Sequence, residues 1–194
     1  QMCIRDRFIA DEVQPGFART GQAFFGFARH GIVPDMITMG KPMGNGIPIS
    51  GLAAKEDVLA AFSDKLPYFN TFGGNPVSIA AAQAVLKYIK DENLQEHCKK
   101  AGAALLKALK EVQERHPESV GDVRGAGLFL GFEFVKNDGN KTPDKDMALN
   151  VIEMLRDEHI LTSVIGHYGN ILKLRPPMVF SENDIDWFAT SLDK

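Results

Sequence analysis

Asp11 and Lys41 are the residues of this chain whose types and spacing could do chemistry. Asp11 heads the tetrad Asp11-Glu12-Val13-Gln14, and Lys41 follows thirty residues later inside Thr38-Met39-Gly40-Lys41-Pro42-Met43-Gly44-Asn45-Gly46. A lysine in a tight, glycine-flanked bend can be partly desolvated, which favours the neutral amine that attacks an aldehyde and forms a Schiff base. A carboxylate can keep a pyridine nitrogen protonated, so that the ring accepts the electrons left when a proton leaves a substrate carbon. An acid and a lysine in these settings are what a pyridoxal phosphate (PLP) cofactor requires. Neither residue type is rare: alone, Asp11 reads as a turn or cap residue and Lys41 as a surface lysine. The weight therefore falls on the elements that must position them.

Phe8-Ile9-Ala10 reads as the end of a buried strand running into Asp11, and Asp35-Met36-Ile37-Thr38-Met39 as a second short apolar run that delivers Lys41. In open α/β sheets ligands sit outside the carboxyl ends of the strands, which is where both residues fall. From Pro76 the apolar positions Val77, Ala80, Ala81, Ala84, Val85, Tyr88 and Ile89 recur at helical spacing and predict a core helix. Asn75 supplies its N-cap and Pro76 its first position. The amides just upstream, around Thr71 and Gly73-Gly74, are then free to meet an anion.

A second helix is predicted from about Leu94 to Arg115, striped by Leu105, Leu109 and Val112 and placed to bridge two domains. After His116-Pro117 the period changes to two. Leu128, Leu130, Phe132 and Phe134 then share one face, in a strand that opens a smaller α+β domain. Asn137-Asp138-Gly139-Asn140 is a turn, and Thr142 to His159 a helix with Met147, Val151, Met154 and Leu155 inward. A strand at Ile171 to Arg175 separates Leu172 and Leu174 from Ile171, Lys173 and Arg175. Ser181 and Asp184 form a capping box for a last helix that buries Ile185, Phe188, Ala189 and Leu192.

The segments Ile9 to Gly21, Pro34 to Lys41, Asn70-Thr71-Phe72-Gly73-Gly74-Asn75-Pro76 and Gly169 to Pro177 resemble, in type and order, the class III (ornithine/4-aminobutyrate type) aminotransferases of the fold-type I PLP enzymes. The resemblance implies an α/β fold: residues 1–93 as the C-terminal part of the PLP-binding large domain, and residues 94–194 as the small C-terminal α+β domain. It implies Asp11 on the pyridine nitrogen, Val13 against a ring face, Gln14 on the ring hydroxyl and Lys41 as the Schiff-base lysine and proton shuttle. Thr71 matches the threonine that reaches the cofactor phosphate of a neighbouring subunit, which implies a homodimer with a shared active site. Arg175 matches the residue that grips the substrate carboxylate; two prolines after it hold the chain extended, and a guanidinium suits bidentate carboxylate binding. The implied activity moves an amino group from an amine or amino acid to a 2-oxo acid. A lyase or phospholyase on the same fold and an inactive truncated homologue are the rival readings, since fold does not fix reaction.

Composition sets the outer bounds. The 194 residues are 44% apolar with a net charge of −3 and interspersed signs, which gives no electrostatic case for nucleic acid or an anionic membrane. Cys3 and Cys98 lack metal-type spacing and read as reduced thiols. The five histidines read as surface or turn residues with no paired acid, and no metal site is expected. Arg124 reads as a structural ion pair, and Phe24-Phe25-Gly26-Phe27 as a hydrophobic plug under the cofactor loop, with the lining of a substrate pocket as the alternative. No apolar run has membrane length, and cytoplasm is the default location. Arg5-Asp6-Arg7 interrupts what should be an apolar strand, so Gln1 to Arg7 reads as a non-native junction, and roughly the first half of the family's enzyme is absent.

Overall fold

The computed structural model describes residues 7–194, so the junction expected at Gln1 to Arg7 lies outside the described residues except for Arg7, and Cys3 lies outside them too. The described residues divide into two compact units, one of residues 7–18 and 22–95, the other of residues 19–21 and 96–194.

In the first unit, β1 (Ile9–Asp11) pairs in parallel with β2 (Met36–Met39), and β2 pairs antiparallel with β3 (Gly51–Ala54). The register sets Asp11 beside Thr38. Asp35 ties the strand starts together: its carboxylate accepts from Phe8 N at 2.7 Å and from Lys55 Nζ at 2.8 Å. The Lys55 bond, followed by the Phe8 amide, holds that carboxyl below its usual range. The expected buried strand is only half realised, because Ala10 is buried while Phe8 and Ile9 are 48% and 52% exposed. The cause is cover: a continuous apolar run is the pattern of a strand covered on both faces, and the described residues leave the side chains of Phe8 and Ile9 half open.

Among its described residues this unit has two α-helices, α1 (Glu56–Ser63) and α2 (Pro76–Asp91). Asn75 caps α2 as its sequence predicts, accepting from Ser78 N at 3.0 Å, with Pro76 first in the helix. The expectation of a core helix is corrected. Only Ser78 and Ile89 are buried, and Val77, Leu86 and Tyr88 are exposed. Periodicity reports which side chains share a face; whether this chain supplies anything to cover that face is a separate matter.

The second unit is a four-stranded antiparallel sheet in the order β4 (Val120–Ala126), β5 (Phe129–Phe134), β7 (Ile171–Leu174), β6 (Val164–Ile165), with α3 (Leu94–Arg115), α4 (Lys145–Asp157) and α5 (Glu182–Leu192). All of α3 but its first two residues belongs to this unit, where the sequence suggested a bridge. Leu105, Leu109 and Val112 of α3 meet Leu130, Phe132 and Phe134 of β5, Leu172 and Leu174 of β7, and Ile185, Phe188 and Leu192 of α5 in one core. The alternation on β5 and β7 and the Ser181–Asp184 capping box follow their sequence signals. The inward stripe of α4 starts one residue later than expected, at Ala148, Val151, Ile152 and Leu155, which leaves Met147 exposed. α3 approaches the β4–β5 turn so closely that a Cβ on Gly102 would lie 2.3 Å from the Gly127 carbonyl carbon, and Gly127 itself has φ +53°.

Residues 19–21 belong to this second unit although their chain neighbours do not. Arg19 Nη1 donates to Leu128 O at 3.1 Å and to Pro176 O at 2.8 Å. Burial lowers its pKa, with Cys98 acting the other way and Arg175 adding to the lowering. Burial also pushes the fully buried Cys98 thiol up to about 11, Arg19 opposing, so it stays protonated and unreactive near neutral pH. Arg124 ion-pairs with Asp122 and Glu133 at 2.6 Å and 2.5 Å, the structural role expected of it. His116 departs from its expectation: its Nε2 lies 3.0 Å from Asp193 Oδ1, and Arg115 Nε donates to the same carboxylate at 2.9 Å. Among the described residues no helix is long and apolar enough to cross a membrane, and no group of His, Cys, Asp and Glu could hold a metal ion.

Candidate active site

The carboxyl end of β1 and β2 gathers the first candidates. Asp11 is exposed at the last position of β1, its Oδ1 accepting from Val13 N at 3.1 Å and from Thr38 Oγ1 at 3.4 Å. Glu12 N donates to Thr38 O at 2.9 Å, which holds the two strand ends together just beyond the sheet. Val13 is partly buried beside Gly40, with Cγ1 4.0 Å from where a Cβ on that glycine would sit. Gln14 is partly buried in the turn that follows.

Lys41 stands two residues past the end of β2 and opens a 3₁₀ turn, Lys41–Gly44. Its φ of +34° lies in the left-handed region that residues with a Cβ seldom adopt, a local strain of the kind concentrated at functional sites. The expectation of partial desolvation is corrected: Lys41 is exposed, and the glycines flanking it shape its turn without covering its amine. It borders a concavity of about 540 Å³ lined also by Ser50, Asn70, Gly73, Gly74 and Ser78. An adjoining concavity of about 630 Å³ shares Ser50, Asn70, Gly73 and Gly74 and adds Thr38, Met39 and Tyr68. Both are in the size range of small-molecule sites.

The far wall of the Lys41 concavity is a turn built by Asn70, whose Oδ1 accepts from Phe72 N at 3.2 Å and Gly73 N at 3.0 Å. Ser78 Oγ donates to Pro48 O at 3.0 Å and joins α2 to the loop after Lys41. Thr71 is exposed in the Asn70 turn; its neighbours Asn70 and Phe72 line the concavity, and Thr71 does not. Arg175 belongs to the second unit, one residue past β7, and is exposed. There it lines a separate concavity of about 470 Å³ with His159, Thr162, Lys173 and Trp187. The first unit thus brings Asp11, Val13 and Lys41 to the carboxyl end of β1 and β2, and Arg175 is a feature of the other unit.

Sequence reasoning passed over Glu12, Ser50, Asn70 and Ser78. Asn70 carried a signal, an asparagine before a Gly-Gly pair where an Asx turn forms. Glu12 carried none, since its partners lie far along the chain. Its buried side chain accepts from Gly26 N at 2.7 Å and Phe27 N at 2.8 Å. The phenylalanines nearby pack on one another, Phe24 edge-to-face against Phe25 at 5.0 Å and Phe25 stacked on Phe27 at 5.7 Å between ring centroids.

The family model described as Aminotransferase class-III matches residues 5–194. Ethanolamine-phosphate phospho-lyase homolog 1 of Caenorhabditis elegans is 44% identical over 189 residues, covering 96% of this chain and 40% of its own. Alanine--glyoxylate aminotransferase 2 homolog 2, mitochondrial, of Arabidopsis thaliana is 41% identical over 186 residues, covering 96% and 38%. A solved Arthrobacter phospholyase in complex with phosphoethanolamine superimposes with a TM-score of 0.91 at 40% identity, covering 95% of this chain and 44% of the other. The chain spans about two-fifths of the length of the curated relatives it matches.

Proposed function

Because the chain belongs to the aminotransferase class-III family, we propose that it is part of a PLP-dependent aminotransferase that moves an amino group from an amine or amino acid to a 2-oxo acid. One observation carries the reading: an exposed carboxylate at the end of β1 and a lysine just past the end of its parallel neighbour β2 share the carboxyl end of the two strands. The donor set fits the cofactor. Asp11 is an acceptor whose Oδ1 is already oriented by Val13 N and Thr38 Oγ1, which suits a protonated ring nitrogen, and Lys41 supplies a primary amine at a concavity of sufficient size.

PLP, when bound, supplies an electron sink conjugated to the substrate amine. Lys41 Nζ takes the proton from the carbon bearing that amine and returns it later as an acid. Asp11 holds the ring nitrogen protonated, Val13 packs on a ring face, Gln14 meets the ring hydroxyl, and Arg175 orients the substrate carboxylate. In this reading residues 1–93 are the C-terminal part of the PLP-binding domain and residues 94–194 the smaller α+β domain, a boundary supported by the change of unit after Gln95.

Thr71 serves the phosphate of a neighbouring subunit, so the active site is shared across a homodimer. Its place beside the Lys41 concavity, but outside that lining, supports this. Thr71→Ala is expected to weaken PLP binding roughly tenfold, the scale of a lost charge-assisted hydrogen bond, and to leave the fold intact. Fluorescence titration with PLP checks the affinity, and a monomer that keeps its cofactor on dilution refutes the sharing.

A phospholyase reading is favoured by one specific observation, the 44% and 40% identity to proteins named as phospholyases. Lys41 would take a proton from the same kind of carbon, and the bond between the adjacent carbon and the phosphate oxygen would break. Incubating the complete protein with phosphoethanolamine, then separately with an amino acid and a 2-oxo acid, decides between them. Amination of the 2-oxo acid without phosphate release is the expected result, and stoichiometric phosphate release overturns it.

A further inference from the structure

Glu12 is 2% exposed and stands between Asp11 and Val13. A buried carboxylate is costly unless its oxygens are bonded. Here both partners are main-chain amides, with Oε2 accepting from Gly26 N at 2.7 Å and Oε1 from Phe27 N at 2.8 Å. Glycines make the room: a Cβ on Gly16 would lie 2.6 Å from Glu12 O, and one on Gly26 would lie 2.7 Å from Pro15 Cβ and 3.4 Å from Glu12 Oε2. The Glu12 main chain is tied as well, its N–H donating to Thr38 O at 2.9 Å and its carbonyl accepting from Gly16 N at 3.2 Å.

One residue therefore fastens the end of β2, the turn at Gly16 and the 3₁₀ turn Gly26–His30 to the carboxyl end of β1. The loop in between passes through Phe17 at φ +59° and Ala18 at φ +67°, a conformation that side-chain-bearing residues do not hold without support. We propose that Glu12 is a positioning residue for the Asp11 carboxylate: by gripping the Gly26 and Phe27 amides it fixes the loop after β1, and with it the Val13 N–H that orients Asp11 Oδ1. The proposal rests on the reading of Asp11 as the acid that keeps the ring nitrogen protonated. Glutamate meets the geometry because each of its two acceptor oxygens takes one N–H. Glutamine offers one acceptor and turns a donor toward the other amide, and aspartate keeps the charge but is one methylene short.

The test loads the complete protein with ring-¹⁵N PLP as wild type, Glu12→Gln and Asp11→Asn, and follows amide hydrogen exchange together with the ring-nitrogen chemical shift. In Glu12→Gln, exchange at Gly26 and Phe27 is expected to quicken at least about tenfold. The ring nitrogen is expected to move part of the way toward the unprotonated position that Asp11→Asn reaches. Faster exchange with an unchanged ring signal overturns the proposal, because Glu12 would then stabilise the loop without positioning Asp11. A ring signal that Asp11→Asn also leaves in place removes Asp11 as the acid and takes the Glu12 proposal down with it, so the two failures are distinguishable. If Glu12→Gln does not accumulate as folded protein, Glu12→Asp is judged by the same two signals.

Discussion

Lys41→Ala in the complete protein is expected to abolish the visible absorbance of lysine-bound PLP and to cut amino transfer by at least about 10³-fold, the scale of losing a positioned general acid/base. Among the residues lining the concavity, Lys41 is the lysine. Lys55, next along the chain, is engaged by Asp35 at 2.8 Å, and Lys87 pairs with Asp91 on α2. Alanine at φ +34° keeps the unfavourable backbone conformation of the native lysine, so a thermal melt should change little and fold loss is separated from chemical loss. A small primary amine added in solution should restore part of the turnover, since it returns the missing base without the tether. Retention of the absorbance band in Lys41→Ala would sink the assignment.

Asp11→Asn is expected to leave PLP bound while turnover falls by at least about 100-fold, which corresponds to about 2.7 kcal/mol of transition-state stabilisation. The amide oxygen of asparagine can keep the bonds from Val13 N and Thr38 Oγ1, so the strand end should hold its shape. What disappears is the negative charge. Single-turnover kinetics, with bound cofactor measured in parallel, check the prediction, and near wild-type turnover would mean that another acid has the task.

The parts of the fold legible in sequence were those whose cause is local. The Asn75-Pro76 start of α2, the Ser181–Asp184 capping box and the alternation from Leu128 to Phe134 each follow from residues within a few positions of one another. The placement of Asp11 and Lys41 at strand ends was legible for the same reason, since a short apolar run followed by turn residues marks a carboxyl end. β3 went unseen because Gly-Leu-Ala-Ala has little strand preference and exists through its pairing with β2. β4 was hidden by glycines at 121 and 125, and the two-residue β6 is too short to show a period. Distance along the chain hid the rest: Glu12 finds its partners 14 and 15 residues on, and His116 meets Asp193 77 residues away. Cover was also invisible, which is why the pattern of Phe8, Ile9 and α2 promised more burial than this chain provides.

The membership of Arg19, Thr20 and Gly21 in the second unit bears on how family members can be recombined. A chimera made with one crossover near residue 95 inherits its Arg19 from one parent and the Leu128 and Pro176 carbonyls that Arg19 binds from the other. A Cβ on Gly21 would lie 2.6 Å from Lys99 N, and one on Gly127 2.5 Å from Arg19 O, so this short strip fits against α3 and the β4–β5 turn with little tolerance. Exchange of the second unit as a coherent block therefore needs three junctions, after residues 18, 21 and 95, and libraries shuffled at a single point should be enriched in survivors whose parents already agree along that strip.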